Sequence, residues 1–219
     1  YRYRVVAYNE GGYSAYSNIA SIVAGASPPT NTVVPPTPTK TPAASTSTGF
    51  LSASANAAQT SSAGDNNGYQ TSPVNAYAND SSVATDTNSG TNTNTSCTNN
   101  GKDKHRYYNY NLNIPATAVI KGIQVRVDAR ADATSGSPKI CVQLSWDGGT
   151  TWTTAKSTTT LSTTEATYTL GSMSDTWGRT WSSTNFNNTN FRIRVIDMAS
   201  NTSRDFFLDY VAVNVTYQP

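Results

Sequence analysis

Apolar and polar side chains alternate along several stretches of this chain with the period of two that marks a half-buried β-strand. The clearest is residues 120–131, IKGIQVRVDARA, where Ile123, Val125, Val127 and Ala129 share one side and Gln124, Arg126, Asp128 and Arg130 the other. Residues 140–146, 167–170, 190–196 and 206–217 also read as strands, the last alternating through Val211, Val213, Val215 and Tyr217. Apolar residues recur nowhere at helical spacing over three turns, and no apolar run approaches the roughly 18 residues of a membrane-spanning helix. One apolar and one polar side per strand is what two facing sheets require, because each sheet buries one side. Residues 49–219 therefore read as one antiparallel β-sandwich, and the chain as all-β without membrane insertion.

Two segments break the pattern. Residues 57–104 are rich in Asn, Ser, Thr and Gly with few apolar anchors, such as Tyr69, Val74, Tyr77 and Val83, which predicts long loops with short strands. Residues 27–48, SPPTNTVVPPTPTKTPAASTST, are dominated by Pro and Thr. Proline fixes φ and lacks a backbone donor, so this segment is an extended linker. Clustered Thr and Ser beside Pro are equally the composition of an O-glycosylated stalk and of a bare spacer.

At the N-terminus Tyr1, Tyr3, Val5 and Ala7 alternate with Arg2, Arg4 and Val6, and residues 9–14 supply a turn. This hairpin closely resembles the last two strands of a fibronectin type III domain. The pattern Y-x-Y-R-V-x-A-x-N-x-x-G-x-S is met by Tyr1, Tyr3, Arg4, Val5, Ala7, Asn9, Gly12 and Ser14. The resemblance covers residues 1–26 as a partial domain, since such a sandwich has seven strands over about 100 residues. No basic start and apolar core of a signal peptide opens the chain. It is expected to begin at a cut mature start or inside a longer protein.

Composition narrows the function classes. Charged residues make up 13% of the chain against about 25% in an average domain, with Ser, Thr and Asn in their place. The formal net charge is +2 and the basic residues are scattered, which argues against nucleic acid as a partner. With two cysteines and a single histidine there is no zinc ligand set. His105 lies in residues 102–106, KDKHR, read as solvated loop. No nucleophile–base pair and no convergent carboxylates emerge, so no enzyme activity and no catalytic residue is expected. The sequons at Asn79, Asn94, Asn187, Asn201 and Asn214 are as many as so Ser/Thr-rich a chain holds by chance.

Residues 145–152, SWDGGTTW, resemble the Asp-box of sialidase-type propellers and other secreted proteins. The reading is structural: Asp147 accepts turn amides, Gly149 permits positive φ and Trp152 packs beneath. Residues 206–213, FFLDYVAV, resemble the final strand of jelly-roll carbohydrate-binding modules. The resemblance implies a jelly-roll-like sandwich and a structural calcium held by Asp209; Asn79 and Asp80 from the early loops would supply part of the six to eight oxygen ligands it needs. The alternative is an Asp209 that hydrogen-bonds neighbouring amides. Trp177 and Trp181 are close in sequence. They are either core residues, which the burial trend of large aromatics favours, or a platform for sugar rings. Tyr108 and Tyr110, placed by alternation on one side with Tyr107 on the other, carry the same choice.

The whole of residues 49–219 looks like a recurrent module of secreted and surface-anchored bacterial proteins. The motifs carrying the likeness are NAYAND at 75–80, IKGIQVR at 120–126, the Asp-box, DTWGRTW at 175–181 and LDYVAV at 208–213. The likeness and the Thr/Pro segment imply an extracellular or cell-surface setting, where Cys97 and Cys141 are expected to form a disulfide; two buried thiols are the alternative. Two functions follow. One is a structural or adhesive surface component that self-associates into a fibre, with Tyr1, Tyr3, Val5 and Ala7 adding their hairpin to a neighbouring subunit. The other is a module binding surface polysaccharide, an accessory of a secreted glycoside hydrolase. Neither needs a cofactor beyond the possible calcium.

Overall fold

The computed structural model describes residues 2–9, 11–18, 20–21, 44–65 and 68–219. The chain divides into two compact units, Tyr1–Thr41 and Pro42–Pro219. In the first, β1 (Arg2–Tyr3) pairs antiparallel with β4 (Ala20–Ser21), and β2 (Tyr8–Asn9) with β3 (Gly12–Tyr13). Bonds from Ser14 N to Ala7 O and from Ser17 N to Val5 O continue the hairpin between them. Val5 is exposed. Tyr1, residues 22–26 and the linker residues 27–43 lie outside the described residues.

The second unit is two antiparallel sheets. One is built on β10 (Val119–Ala131) and β15 (Phe206–Gln218), paired from Val119–Gln218 to Ala131–Phe206, with β13 (Ala166–Ser172) on the far side of β10. The short strands β5 (Thr46–Ser47), β6 (Leu51–Ser52) and β8 (Ala84–Asp86) line the other edge of β15. Thr46 to Thr48, expected in the linker, thus belong to the sheet: the stretch after Pro42 holds no proline, so its amides are free to pair. The second sheet runs β12 (Lys156–Ser157), β11 (Lys139–Ser145), β14 (Arg192–Met198), β9 (Lys104–Tyr108) and β7 (Ala55–Ala58).

The alternation read from the sequence sets the facing layers. Ile123, Val125, Val127, Val211, Val213 and Val215 of one sheet and Ile140, Val142, Leu144, Ile193 and Val195 of the other are buried in one cluster. Each such side chain contributes about 1.5–3 kcal/mol relative to exposure. Asp128, on the polar side of β10, is nevertheless buried and satisfied by Arg126 at 2.6 Å and by the amide of Asn79 at 2.9 Å.

The long segment between β7 and β9 is tied down by polar anchors. Cys97 and Cys141 form a disulfide with Cα atoms 5.7 Å apart, and Cys141 packs with Ile196 and Met198 in a satellite cluster on the outer side of the second sheet. Lys102, fully buried, donates from Nζ to Asn92 O and Ala199 O, each at 2.6 Å. The Tyr69 hydroxyl donates to Asp197 Oδ1 at 2.9 Å, beside the buried carboxyls of Asp86 and Asp103. Burial pushes all three carboxyls up, Asp103 and Asp197 to about 7 and Asp86 further because Asp197 and Asp103 lie beside it. Tyr69 is an anchor as expected, whereas Val74 is exposed.

The reading of residues 102–106 as solvated loop is corrected. Lys104 opens β9 and His105 is 2% exposed. The His105 ring lies between Asn56, whose Oδ1 is 2.8 Å from Nε2, and the Tyr69 amide, which donates to Nδ1. Burial first, and Arg106 second, lower its pKa to about 4. A neutral ring protonated on Nε2 satisfies both neighbours. Local polarity concealed the strand because its covering groups come from β7 and the segment before β8.

Candidate functional site

The outer side of the second sheet is where chemistry-bearing side chains converge. Tyr107 of β9 points into the core, so Lys104, Arg106 and Tyr108 lie on the opposite side. Register places Arg192 of β14 across from Tyr108 and Arg194 across from Arg106. On the other flank of β14, Ser145 and Gln143 of β11 face Arg192 and Arg194. The sheet thereby builds two rows, Tyr108–Arg192–Ser145 and Arg106–Arg194–Gln143.

The hairpin between β11 and β12 walls one end of these rows. Ser145 Oγ donates to Asp147 Oδ1 at 2.9 Å and accepts from Gly149 N at 2.8 Å, and Thr151 N donates to Asp147 Oδ1 at 2.8 Å. Slight burial raises the Asp147 pKa, but the amide and hydroxyl of Thr151 outweigh it, and the carboxyl stays below its ordinary value. Gly149 takes φ +98°, and a Cβ there would sit 3.3 Å from the Trp152 ring. The turn brings Trp152 down onto the sheet, where the Arg194 guanidinium lies over its ring at 4.0 Å. This is the structural role expected of Asp147, Gly149 and Trp152, and it also delivers the indole to a recess.

That recess, about 310 Å³, has Arg106, Trp152 and Arg194 along its base, residues 59–62 on one bank and Gly149–Thr150 on the other. Arg194 is held by neutral oxygens: Nε donates to Gln143 Oε1 at 3.1 Å and Nη1 to Gln59 Oε1 at 3.0 Å. Gln143 is fixed in turn by Thr153 O at 2.7 Å. Arg106 donates from Nη2 to Ala58 O at 3.3 Å, and its Nε is buried without a partner. Burial, then Arg106, lower the Arg194 pKa to about 10. Alongside, Arg192 stacks on Tyr108 at 4.3 Å and donates to Asn188 O and Phe191 O.

The aromatic residues for which a sugar platform was the alternative to a core role separate. Tyr108 is half-buried on this face. Tyr110 is 3% exposed, because Asn109 adopts φ 60° and ends the alternation, turning Tyr110 against Phe191 in the core. Trp177 and Trp181 are 4% and 5% exposed and form no platform. Trp177 Nε1 donates to Ile123 O and Trp181 Nε1 to Thr176 O. Trp181 packs among Trp146, Phe186 and Phe191 with Arg179 over it, as the burial trend of large aromatics favours. The residues missed were Arg106, Arg192, Arg194 and their glutamine supports. The R-x-R spacing at 192–194 was the available signal.

The carboxylates assigned to calcium are also placed. Asp209 Oδ1 accepts from Asp80 N at 3.3 Å, Asp80 Oδ1 accepts from Ser82 N, and Asn79 donates to Asp128. Asp209 Oδ2 is buried without a hydrogen-bond partner. Burial raises the Asp209 pKa against the amides of Asp80 and Ser81 that lower it. Among the described residues, no three His, Cys, Asp or Glu groups are arranged to hold a metal ion. Asp80 and Asp209 come together through an amide, and Asn79 joins Asp128 instead.

No protein-family model and no curated protein matches the chain. Among solved structures, it is similar to a truncated AlyQ with CBM32 and alginate lyase domains, at 14% identity and TM-score 0.38, over 78% of this chain and 34% of that one. It is also similar to the CBM22-1–GH10 modules of the Clostridium thermocellum endo-1,4-beta-D-xylanase 10B, at 10% identity and TM-score 0.27, over 63% and 24%. The chain spans about a third of the first of these structures and a quarter of the second.

Proposed function

We propose that the Pro42–Pro219 unit is a non-catalytic carbohydrate-binding module of an extracellular protein, and that it takes a polysaccharide segment into the recess on the outer side of the second sheet. The observation that carries this reading is Trp152, half-buried in an open recess and held beside Arg194 by the 145–151 turn. An indole supplies the apolar surface that sugar C–H groups stack on, while fixed polar groups beside it read hydroxyls. The disulfide fits an oxidising compartment, and no helix among the described residues is long and apolar enough to cross a membrane.

Affinity electrophoresis against a panel of soluble polysaccharides tests this. At least one polymer should retard the protein, and Trp152→Ala should weaken that retardation about tenfold with an unchanged melting curve. Equal retardation of W152A would place binding elsewhere. A second reading, fibre assembly through the N-terminal hairpin, has the exposed Val5 and Tyr16 in its favour. Sedimentation that grows with concentration and is lost in Val5→Asp would support it.

A further inference from the structure

Arg106 and Arg194 face each other across the β9–β14 ladder, and Arg192 is two residues along the same face. Like charges directly opposite in a sheet repel, and such positions ordinarily carry a counter-charge. Here there is none: among the described residues the ion pairs are Arg126–Asp128, Lys156–Asp175 and Arg204–Asp132, and no carboxylate reaches any of these three guanidiniums. Their partners are amide and carbonyl oxygens, and Arg106 Nε is buried with no partner. A charged donor withdrawn from water without an acceptor is costly, so the arrangement implies an acceptor that arrives from outside.

From this we infer that the recess selects an anionic glycan, one whose sugar carries a carboxylate or sulfate that engages Arg106 and Arg194 while the ring stacks on Trp152. The inference rests on the carbohydrate-binding reading. Guanidinium forks match planar oxyanions, and Gln59 and Gln143 hold the Arg194 fork in place before the ligand comes. Tyr108 and Arg192 continue the surface with a second aromatic and a third cation, as a polymer with an acidic group on successive residues would require. The banks are Gln, Ser, Thr and Gly rather than basic, which suits hydroxyl-rich sugar better than the phosphate row of a nucleic acid.

The test compares polygalacturonate, the same polymer fully methyl-esterified, dextran sulfate, neutral xylan and single-stranded DNA in affinity electrophoresis or calorimetry with the full chain. Polygalacturonate or dextran sulfate should bind at least tenfold tighter than the ester and xylan at low salt. The gap should shrink as salt rises, and the stronger of the two polyanions tells carboxylate from sulfate. Arg106→Gln should remove most of that preference, whereas Arg130→Gln, stacked on Phe207 in the other sheet, should change nothing. If R106Q melts early, Arg194→Gln carries the same expectation. Equal binding of the ester and the free acid would overturn the inference and leave the carbohydrate reading standing. Binding of no glycan would sink both. Tighter binding of DNA, or equal loss in R130Q, would reduce the face to a general polyanion surface and overturn it too.

Discussion

The hydroxyl of Tyr69 donates to Oδ1 of Asp197 across 2.9 Å, with both side chains almost fully buried. The bond joins the segment before β8 to the inner side of β14, so the loop and the sheet depend on each other. Replacing Tyr69 by Phe keeps the ring and removes the donor from a buried carboxyl. Urea unfolding should show a loss of about 1–3 kcal/mol; an unchanged midpoint would mean that Asp197 is satisfied without Tyr69.

The pH dependence of stability follows from the same group. Burial raises the Asp197 and Asp103 pKa values from 3.8 to about 7. An acid whose folded pKa is raised binds its proton more readily in the folded state, so its stabilisation is present in full below about pH 4 and is lost as pH rises through about 7. Asp197→Asn cannot titrate. Wild type should therefore lose stability relative to D197N between pH 4 and 7, and a constant difference over that range would refute the assignment.

His105 has the opposite sign. Its folded pKa of about 4, below the ordinary 6.5, gives stability that is present above pH 6.5 and lost as pH falls through 4. Ring resonances in an NMR titration should stay those of the Nε2-protonated neutral form down to about pH 5. A midpoint near 6.5 would show the ring to be solvated.

Reducing the Cys97–Cys141 disulfide reopens a loop closed over a separation of 44 residues, which costs roughly 4 kcal/mol on the loop-entropy model. Amide exchange should accelerate in residues 87–101 well before the β10–β15 ladder responds. Uniform acceleration across both sheets would show that the bridge supports the whole sandwich instead.

Trp181→Ala and Trp152→Ala should part ways. Removing the buried Trp181 takes away the packing partner of Trp146, Phe186 and Phe191, at a cost of about 3–5 kcal/mol. W152A should weaken glycan retention about tenfold and leave the melting curve unchanged. A W181A protein that melts normally but no longer binds glycan would restore the platform role to Trp181.

Alternation was enough to identify β10, β11, β14 and β15 and to say which residues of β10 and β15 face inward, because period-two patterning is a local record of which side is buried. The turn at residues 145–152 was legible from its motif, because its hydrogen bonds run between residues at most four apart. The placement of Tyr110 escaped alternation. One left-handed residue, Asn109, breaks the period, and an asparagine does not announce in which conformation it will sit. His105 and Lys102 look like surface residues in a polar run, and only Asn56, Tyr69, Asn92 and Ala199, ten or more residues away in the chain, make them interior.

The recess shows the division most plainly. That Arg192 and Arg194 share a face is written in their spacing, and so is the pairing of Arg106 with Tyr108 on another strand. That Arg106 stands opposite Arg194, with Trp152 between the banks and no carboxylate in reach, was decided by strand order and register. Those are set by how two whole sheets bury their apolar sides together, a sum over contacts distant in sequence that no local pattern contains.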